Sequence, residues 1–186
     1  RPRGRNAPAP AHVASLRAQG RKAICYLSAG SWEDWRPDAN QFPEAVKGKG
    51  LSGWPGEKWL DIRQVDRLAP VLRARLDQCQ EKGFDAVEPD NIDGYTNDTG
   101  FPLTYDDQLA YNIWLANEAH ARGLSVGLKN DPDQAADFSG ETTLGYSFYA
   151  FKHNVKWQSE VTLLHASGRD IDDGVSELRV SGVLPD

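Results

Sequence analysis

Three carboxylates follow one another closely in the stretch FDAVEPDNIDGY, residues 84–95. A short apolar run ends at Glu88, Pro89 and Asp90, and Asp93 follows soon after. Side chains two apart on a strand share a face, so the Cα atoms of Glu88 and Asp90 are expected about 6.6 Å apart. Pro cannot donate to a sheet ladder, which puts these acids at the exit of the strand. Two carboxyl groups aimed at one point are suited to general acid–base chemistry.

These acids must be positioned by a repeated unit, in which a predicted helix ends at Gly and a short apolar strand follows. The predicted helices end at Gly20, Gly83 and Gly123. Because the strands that follow are apolar runs and do not alternate, both of their faces should be covered, as in a parallel sheet. This order of elements predicts an α/β fold, either a doubly wound sheet or a (β/α)8 barrel. Parallel strands are expected near Ala23–Leu27, Phe84–Val87 and Leu124–Leu128, with Trp59–Arg63 as a further strand.

The two longer helices carry their own start signals. Asp66 is a candidate N-terminal cap of the first, and Thr104 begins a capping-box-like Thr-x-x-Asp in the second. Apolar residues at helical spacing predict the buried face of each helix. These stripes are Leu68, Val71, Leu72, Leu76 and Cys79 in the first helix, and Leu109, Ile113 and Ala116 in the second.

The chain is polar and acidic where the predicted strands end. In α/β folds functional groups gather at the C-terminal ends of the strands. Residues 83–121 contain eight acids and neither Lys nor Arg. The loop part of this segment predicts a negative cleft floor, suited to a neutral sugar or a cationic ligand. The candidate contacts at these strand ends are Tyr26, Ser28, Asp93, Tyr95, Lys129 and Asn130.

Each candidate also has a purely structural interpretation. One of the two acids, Asp90 and Glu88, would cap backbone amides of the next loop, while the other pairs with Lys129. Asp93 fits a turn in Asn-Ile-Asp-Gly as well as a site, and Tyr26 fits core packing as well as stacking on a sugar. Tryptophans in Gly-rich loops that could line subsites or be buried are Trp32, Trp35 and Trp54.

Four segments carry a resemblance to a known family: CYLSAGSWEDWRPD, GWPGEKWLDIR, GFDAVEPDNIDGYTNDTGFPLT and QLAYNIWLANEAHARGLSVGLKND. Over Ala7 to Asp137 the chain closely resembles glycoside hydrolase family 114, whose founding activity is endo-α-1,4-polygalactosaminidase. The resemblance implies a TIM barrel, secreted or on the cell surface, that cleaves galactosamine-containing polysaccharide without a cofactor. It makes Asp90 the first choice for one of two catalytic carboxyls, and Glu88 its substitute or support. The ammonium group of de-acetylated galactosamine would suit the acidic strand exit.

The segment 138–186 departs from the family pattern. A barrel of this type takes about 250 residues, whereas the chain has 186 and begins with Arg. No Asn-Glu motif, which would carry the second catalytic carboxylate, follows Asp137. We expect an incomplete (β/α)8 barrel over residues 7–137 and then a divergent segment, as in a fragment or a mis-joined gene; a natural variant is the alternative. Such a chain would be a very poor hydrolase or a non-catalytic sugar-binding remnant.

Composition argues against several other classes of function. A mean hydropathy of −0.60 and no apolar run near roughly 20 residues indicate a soluble domain without a membrane span. The net charge of −6 disfavours nucleic acid as a partner. The first ten residues are basic and Pro-rich and show no signal peptide. The histidines lack metal-ligand spacing, so neither a metal nor a cofactor is expected. Cys25 and Cys79 are interpreted as free, buried thiols, with a disulfide or a metal-ligand pair as the alternative.

Overall fold

The computed structural model describes residues 10–134 and the backbone of two later strands, 145–150 and 157–162. The α-helices of the described part are α1 (Pro10–Ala18), α2 (Val65–Glu81) and α3 (Tyr105–His120). Its strands are β1 (Ile24–Ser28), β2 (Ser31–Glu33), β3 (Lys47–Gly50), β4 (Glu57–Leu60), β5 (Ala86–Asp90), β6 (Ser125–Val126), β7 (Gly145–Ala150) and β8 (Trp157–Thr162). None of these helices is both long and apolar enough to cross a membrane.

Strands β1, β5 and β6 form a parallel sheet in the order β1-β5-β6. Ile24 pairs with Ala86 and Ser28 with Asp90, so β1 and β5 run in step to their C-terminal ends. On the other side of β5, β6 pairs in parallel with Ala86 and Val87. The predicted α/β class and its three parallel strands are therefore confirmed. Within the described residues this sheet does not close into a barrel.

The strand predicted at Trp59–Arg63 begins earlier and lies in a different sheet. It is β4, which ends at Leu60 and pairs antiparallel with β2 and β3, in the order β2-β4-β3. The N–H of Leu60 donates to the carbonyl of Gly30 at 3.0 Å, directly after β1. The three antiparallel strands are therefore attached next to the C-terminal end of β1.

Helix α2 buries the whole predicted stripe, Leu68, Val71, Leu72, Leu76 and Cys79. Its N-cap is Gln64, whose side chain makes no capping hydrogen bond. The prediction of Asp66 as the cap was wrong, because the helix begins one residue before it, at Val65. As an acid in the first turn, Asp66 still lies favourably for the helix dipole.

Helix α3 has the predicted capping box but buries a different face. Thr104 accepts from the N–H of Asp107, and the Asp107 carboxylate accepts from the N–H of Thr104. Ile113 is 42% exposed, so the predicted stripe was wrong at this position. Gln108 and Asn112 are buried instead and are hydrogen-bonded to each other at 2.8 Å, which makes burial of polar side chains tolerable. The buried face comprises Gln108, Tyr111, Asn112, Leu115, Ala116 and Ala119.

A disulfide joins Cys25 of β1 to Cys79 of α2, with the two Cα atoms 6.0 Å apart. Both positions are buried, as predicted. The prediction of free thiols was nevertheless wrong, because packing of α2 on β1 brings together two cysteines that are 54 residues apart. The strand that precedes the candidate site is thus covalently attached to a core helix.

Candidate active site

The C-terminal ends of the parallel strands bring the predicted site residues together. In the register of β1 and β5, Tyr26 lies opposite Glu88 and Ser28 lies opposite Asp90. Lys129 and its neighbour Asn130 follow β6, on the other side of β5. Side chains from three adjacent strand ends therefore meet at one edge of the sheet, where ligands of α/β folds bind.

Asp90 is held by side chains from both neighbouring strand ends. Tyr26 Oη donates to Asp90 Oδ2 at 2.8 Å, and Asn130 Nδ2 donates to Oδ1. The backbone N–H of Asn91 also donates to Oδ1, at 2.9 Å, and Lys129 Nζ lies 3.8 Å from Oδ2. The bond from the Asn91 N–H is the capping contact that the structural interpretation predicted. The other three groups direct its carboxylate toward the shared edge.

Lys129 is the cation that both acids share. Its Nζ donates to Glu88 Oε2 at 3.3 Å and lies 5.2 Å from the centre of the Tyr26 ring. Since the lysine is almost fully buried, its charge acts through protein more than through water. The pair between Glu88 and Lys129 is the structural contact anticipated above. Because the same ammonium also lies near Asp90, both carboxylates face one point.

Tyr26 is 45% exposed, so it does not pack in the core. Desolvation of its hydroxyl, followed by the charge of Asp90 and the hydrogen bond to it, raises the pKa of Tyr26 well above its ordinary value. The phenol therefore stays protonated at neutral pH and donates to Asp90. Part of its ring faces solvent at the edge where the acids lie.

Ser28 lies beneath this edge and not at its surface. It is fully buried, its Oγ is 2.6 Å from Ser31 Oγ, and it accepts from Asn91 Nδ2 at 3.0 Å. Ser31 donates in turn to Glu57 Oε2 at 3.2 Å. The short Ser28 side chain is covered by Asn91, so it supports the residue after Asp90. The structure does not place it where the predicted contact with a substrate would occur.

Tyr95 and Asp131 form a second and more buried pair. Tyr95 Oη donates to Asp131 Oδ1 at 3.2 Å, and Asn112 Nδ2 donates to Oδ2 at 3.1 Å. Burial raises the pKa of Asp131 to about 6, and the Asp93 carboxylate adds to the rise. Burial and then the charge of Asp131 raise the pKa of Tyr95 to about 12. Tyr95, predicted at the mouth, thus anchors the loop that carries Asn130.

Sequence reasoning missed Asn91 and Asp131 as parts of this site. Asn91 and Asn130 have φ angles of 61° and 66°, in the left-handed region that Asn tolerates better than most residues. The left-handed residue after β5, Asn91, directs its side-chain amide toward Ser28. The one after β6, Asn130, directs its side-chain amide toward Asp90. For Asp131 the only signal was an acid after a strand, since its partners lie 19 and 36 residues away.

An open cleft of about 380 Å³ adjoins the partners of Asp90. This strand-end cleft lies between loop residues 49–54 and a group that includes Asn91, Asp93, Asp98 and Asn130. Burial, with a smaller effect of the Asp90 charge, raises the pKa of Asp93. The Asp93 carbonyl also accepts a turn bond from the N–H of Thr96 at 3.1 Å. Asp93 is therefore part of a turn and also lines the cleft, and its contact with a substrate stays a prediction.

A sequence model of Glycoside-hydrolase family GH114 matches residues 5–169 of the chain. The chain belongs to this family. The matched range includes every strand end described above and continues beyond residue 137, where the resemblance in the sequence ended. The carboxylates at the end of β5 are therefore acids of a glycoside hydrolase domain.

Solved structures share the fold of this GH114 domain. Ega3 of Aspergillus fumigatus, crystallised in complex with galactosamine, is 46% identical with a TM-score of 0.68, and the match covers 70% of this chain and 51% of Ega3. The glycoside hydrolase domain of PelA from Pseudomonas aeruginosa is 18% identical with a TM-score of 0.56, over 78% of this chain and 58% of that domain. At this identity PelA supports the fold alone.

A relative of uncharacterised function comes from Deinococcus radiodurans. It is 30% identical over 135 residues, which cover 70% of this chain and 42% of that protein. This chain therefore spans about half the length of the proteins it matches.

The site carboxylates of this GH114 domain accept hydrogen bonds from neighbouring side chains and from the backbone. Within the described part of the chain, no group of three or more His, Cys, Asp and Glu side chains is placed to hold a metal ion. Around Asp90 the donors are a phenol, two amides and an ammonium; around Asp131 they are a phenol and an amide. This arrangement orients carboxyl groups for proton transfer or for charge balance.

The raised pKa of Asp131 predicts a pH dependence of stability. In the fold its pKa is about 6, against an ordinary value of 3.8, so between about pH 4 and pH 6 the folded state holds more protons than the unfolded one. The free energy of unfolding should therefore fall by on the order of 2 to 3 kcal/mol as the pH rises through this window. Above this pH window, the ionised carboxylate of Asp131 lowers the free energy of unfolding by the full amount.

Urea unfolding at pH 4, 5, 6 and 7 would measure this effect in the wild type and in Asp131→Asn. Asn cannot ionise, so the difference in unfolding free energy between the two proteins should change in favour of Asp131→Asn as the pH rises. Other titrating groups are common to both proteins and cancel in that difference. A difference that stays constant from pH 4 to pH 7 would show that Asp131 ionises normally.

Proposed function

We propose that this GH114 domain cleaves a polysaccharide containing galactosamine, in the manner of an endo-α-1,4-polygalactosaminidase, and that Asp90 is one of its two catalytic carboxyls. The observation that carries the proposal is the setting of Asp90 at the end of β5. Tyr26, Asn130 and Lys129 are all directed at its carboxylate. Ega3, which is 46% identical, was crystallised with galactosamine, and this supports the same sugar as part of the substrate here.

The parallel strands support a (β/α)8 barrel as the complete architecture. Barrels of this type carry their active sites at the C-terminal ends of the strands. In this chain Asp90 is the last residue of β5, and Lys129 and Asn130 follow β6. The candidate site therefore lies where a barrel enzyme would have it.

Glycoside hydrolysis assigns separate roles to two carboxyl groups. One protonates the leaving oxygen, and the other acts as a nucleophile or activates water, at about 5–5.5 Å in retaining enzymes and about 6.5–9.5 Å in inverting ones. We assign Asp90 to one of these roles and Glu88 to its substitute or support. Tyr26 and Asn130 fix the orientation of Asp90. Lys129 balances the negative charge of Glu88 and Asp90 as the proton moves.

The charge of the site favours an amino sugar over a neutral one. Glu88, Asp90 and Asp93 lie around the strand ends with Lys129 as the cation between the first two. A de-acetylated galactosamine residue carries an ammonium group, which a site with excess negative charge attracts. N-acetylation removes that charge and should weaken the attraction.

Binding of the polysaccharide without hydrolysis is the second candidate function. It is favoured by the position of Glu88, which is ion-paired with Lys129 and lies only two residues from Asp90 on the same strand. Such an acid supports Asp90 more readily than it supplies the opposing catalytic carboxyl. On this alternative the strand-end residues would hold the sugar chain and leave its bonds intact.

We further propose that the domain works in an oxidising compartment, secreted or at the cell surface. Its disulfide between Cys25 and Cys79 supports this location, since disulfides persist in extracellular proteins and are rare in a reducing cytosol. A polymeric substrate outside the cell would be consistent with the same location.

Hydrolysis and binding of defined polymers distinguish the two functions. The chain is incubated with α-1,4-linked galactosamine polymer, de-acetylated or N-acetylated, and the products are followed by reducing-end assay and mass spectrometry. We expect galactosamine oligomers from the de-acetylated polymer, released slowly. Binding without product in long incubations would establish the second candidate. Neither binding nor product would contradict both.

A further inference from the structure

Two core helices hold the backbone at the exit of β1. Tyr111 of α3 is buried, and its Oη donates to the carbonyl of Ala29 at 2.6 Å. Arg75 of α2 is also buried, and its Nη1 donates to the carbonyl of Ser28 at 2.9 Å. Two consecutive carbonyls therefore accept hydrogen bonds from side chains of two different helices.

The same backbone segment, residues 28–30, binds the main chain of Asp90. The N–H groups of Ala29 and Gly30 both donate to the Asp90 carbonyl, at 3.0 and 3.2 Å. Ser28 is the partner of Asp90 in the register of β1 and β5. The carbonyls of the segment are thus fixed by the core helices, and its N–H groups hold the candidate catalytic residue.

The segment is packed closely against the residue that follows Asp90. A Cβ atom added at Gly30 would lie 1.6 Å from the carbonyl oxygen of Asn91, so only glycine fits there. The N–H of Asn91 in turn donates to the Asp90 carboxylate at 2.9 Å. A shift of segment 28–30 would therefore displace both the backbone of Asp90 and the N–H that binds its carboxylate.

The two helix donors differ in their other contacts. Arg75 Nε and Nη2 donate to the two carboxylate oxygens of Asp38, at 2.7 and 2.8 Å, so truncation of the arginine would leave that half-buried carboxylate unpaired. Burial raises the pKa of Tyr111 well above its ordinary value, so the phenol stays protonated and able to donate. Phe in place of Tyr111 removes the hydroxyl and keeps the ring, which makes this residue the cleaner one to test.

We propose that Tyr111 is a positioning residue for Asp90 and acts through the carbonyl of Ala29. Arg75 has the same role at the preceding carbonyl. Since both side chains are buried in the core, they act without touching the substrate. A misplacement of about 1 Å far from the reacting atoms can cost about 10²-fold in rate. The effect on rate rests on the proposed function, because it concerns the carboxyl that we assign to that reaction.

Tyr111→Phe tests the proposal by kinetics and by NMR. With de-acetylated galactosamine polymer, kcat should fall about tenfold while KM stays within twofold, because the lost hydroxyl affects the acid and not the binding of the sugar. In the labelled free protein the amide proton of Asn91 should shift, since it reports the position of the Asp90 carboxylate. The amides of Ala29 and Gly30 should exchange with solvent about fivefold faster, because their segment is held less firmly.

Val13→Ala is the matched control for a general loss of stability. Val13 is a buried core residue of α1, and its truncation removes apolar contacts without removing a hydrogen bond. Its melting temperature should fall, while kcat and the Asn91 amide stay as in the wild type. Arg75→Lys is an independent second variant, which keeps a charge beside Asp38 but not the planar fork of the guanidinium. It should also lower kcat and leave KM unchanged.

The outcomes separate the positioning role from the proposed function. If the wild type hydrolyses the polymer and Tyr111→Phe keeps kcat within twofold, the positioning role is wrong and the function stands. If the wild type releases no product, the proposed function fails, and the NMR spectra alone decide whether Tyr111 positions Asp90. An Asn91 amide that is unchanged in Tyr111→Phe, or equally shifted in Val13→Ala, would overturn the inference in either case.

Discussion

Replacing Asp90 by Asn is expected to lower the rate of galactosaminide hydrolysis about 10³-fold, within the range that one positioned proton-transfer group contributes. The substitution should leave the fold unchanged. In the variant, Oδ1 still accepts from Asn130 and from the N–H of Asn91, and the new amide faces the Tyr26 hydroxyl, which is able to accept. The loss would therefore belong to the chemistry and not to the local structure.

The measurement is the release of labelled oligomers from de-acetylated α-1,4-galactosamine polymer over long incubations, because a slow parent rate is expected. Asp106→Asn, with the same change in charge on an exposed side chain, should keep its rate within twofold. If Asp90→Asn retains more than a tenth of the parent rate, Asp90 is not a catalytic acid or base. Glu88 would then be the next residue to replace.

The strand ends could be predicted from the sequence because their signals are local. Apolar runs after Gly marked the strands, and the spacing of Glu88 and Asp90 placed both acids on one face. β5 extends further than predicted, through Pro89 to Asp90. Pro89 is tolerated because β6 pairs only with Ala86 and Val87, so no ladder partner on that side requires the missing N–H.

The buried face of α3 could not be predicted from hydropathy. A polar residue is buried when tertiary partners satisfy its hydrogen bonds, and those partners are distant in the sequence. Gln108 accepts from the N–H of Gly94 at 2.8 Å, and Asn112 donates to the carbonyl of Ile92 and to Asp131. These contacts turn the polar side of the helix toward the site. The place of Asp131 in the site could not be predicted for the same reason, because its partners are also distant in the sequence.

Stability should depend strongly on the disulfide between Cys25 and Cys79. The bond closes a loop of 54 residues, and the loss of chain entropy in the unfolded state then corresponds to about 4 kcal/mol. A domain has only about 5–15 kcal/mol of net stability. The double substitution Cys25→Ala and Cys79→Ala should therefore lower the free energy of unfolding by about 4 kcal/mol and the melting temperature by roughly 8–16 °C.

Denaturant unfolding with and without reductant measures this effect in one protein. Dithiothreitol should destabilise the wild type by about as much as the double substitution does, and should leave the double variant unchanged, because that variant has no bond to reduce. Thiol titration of the unfolded, unreduced wild type gives an independent result: no free thiols are expected. Two free thiols per chain, or equal stability with and without reductant, would show that the two cysteines are unpaired in solution. The support that the disulfide gives to an oxidising compartment would then be lost as well.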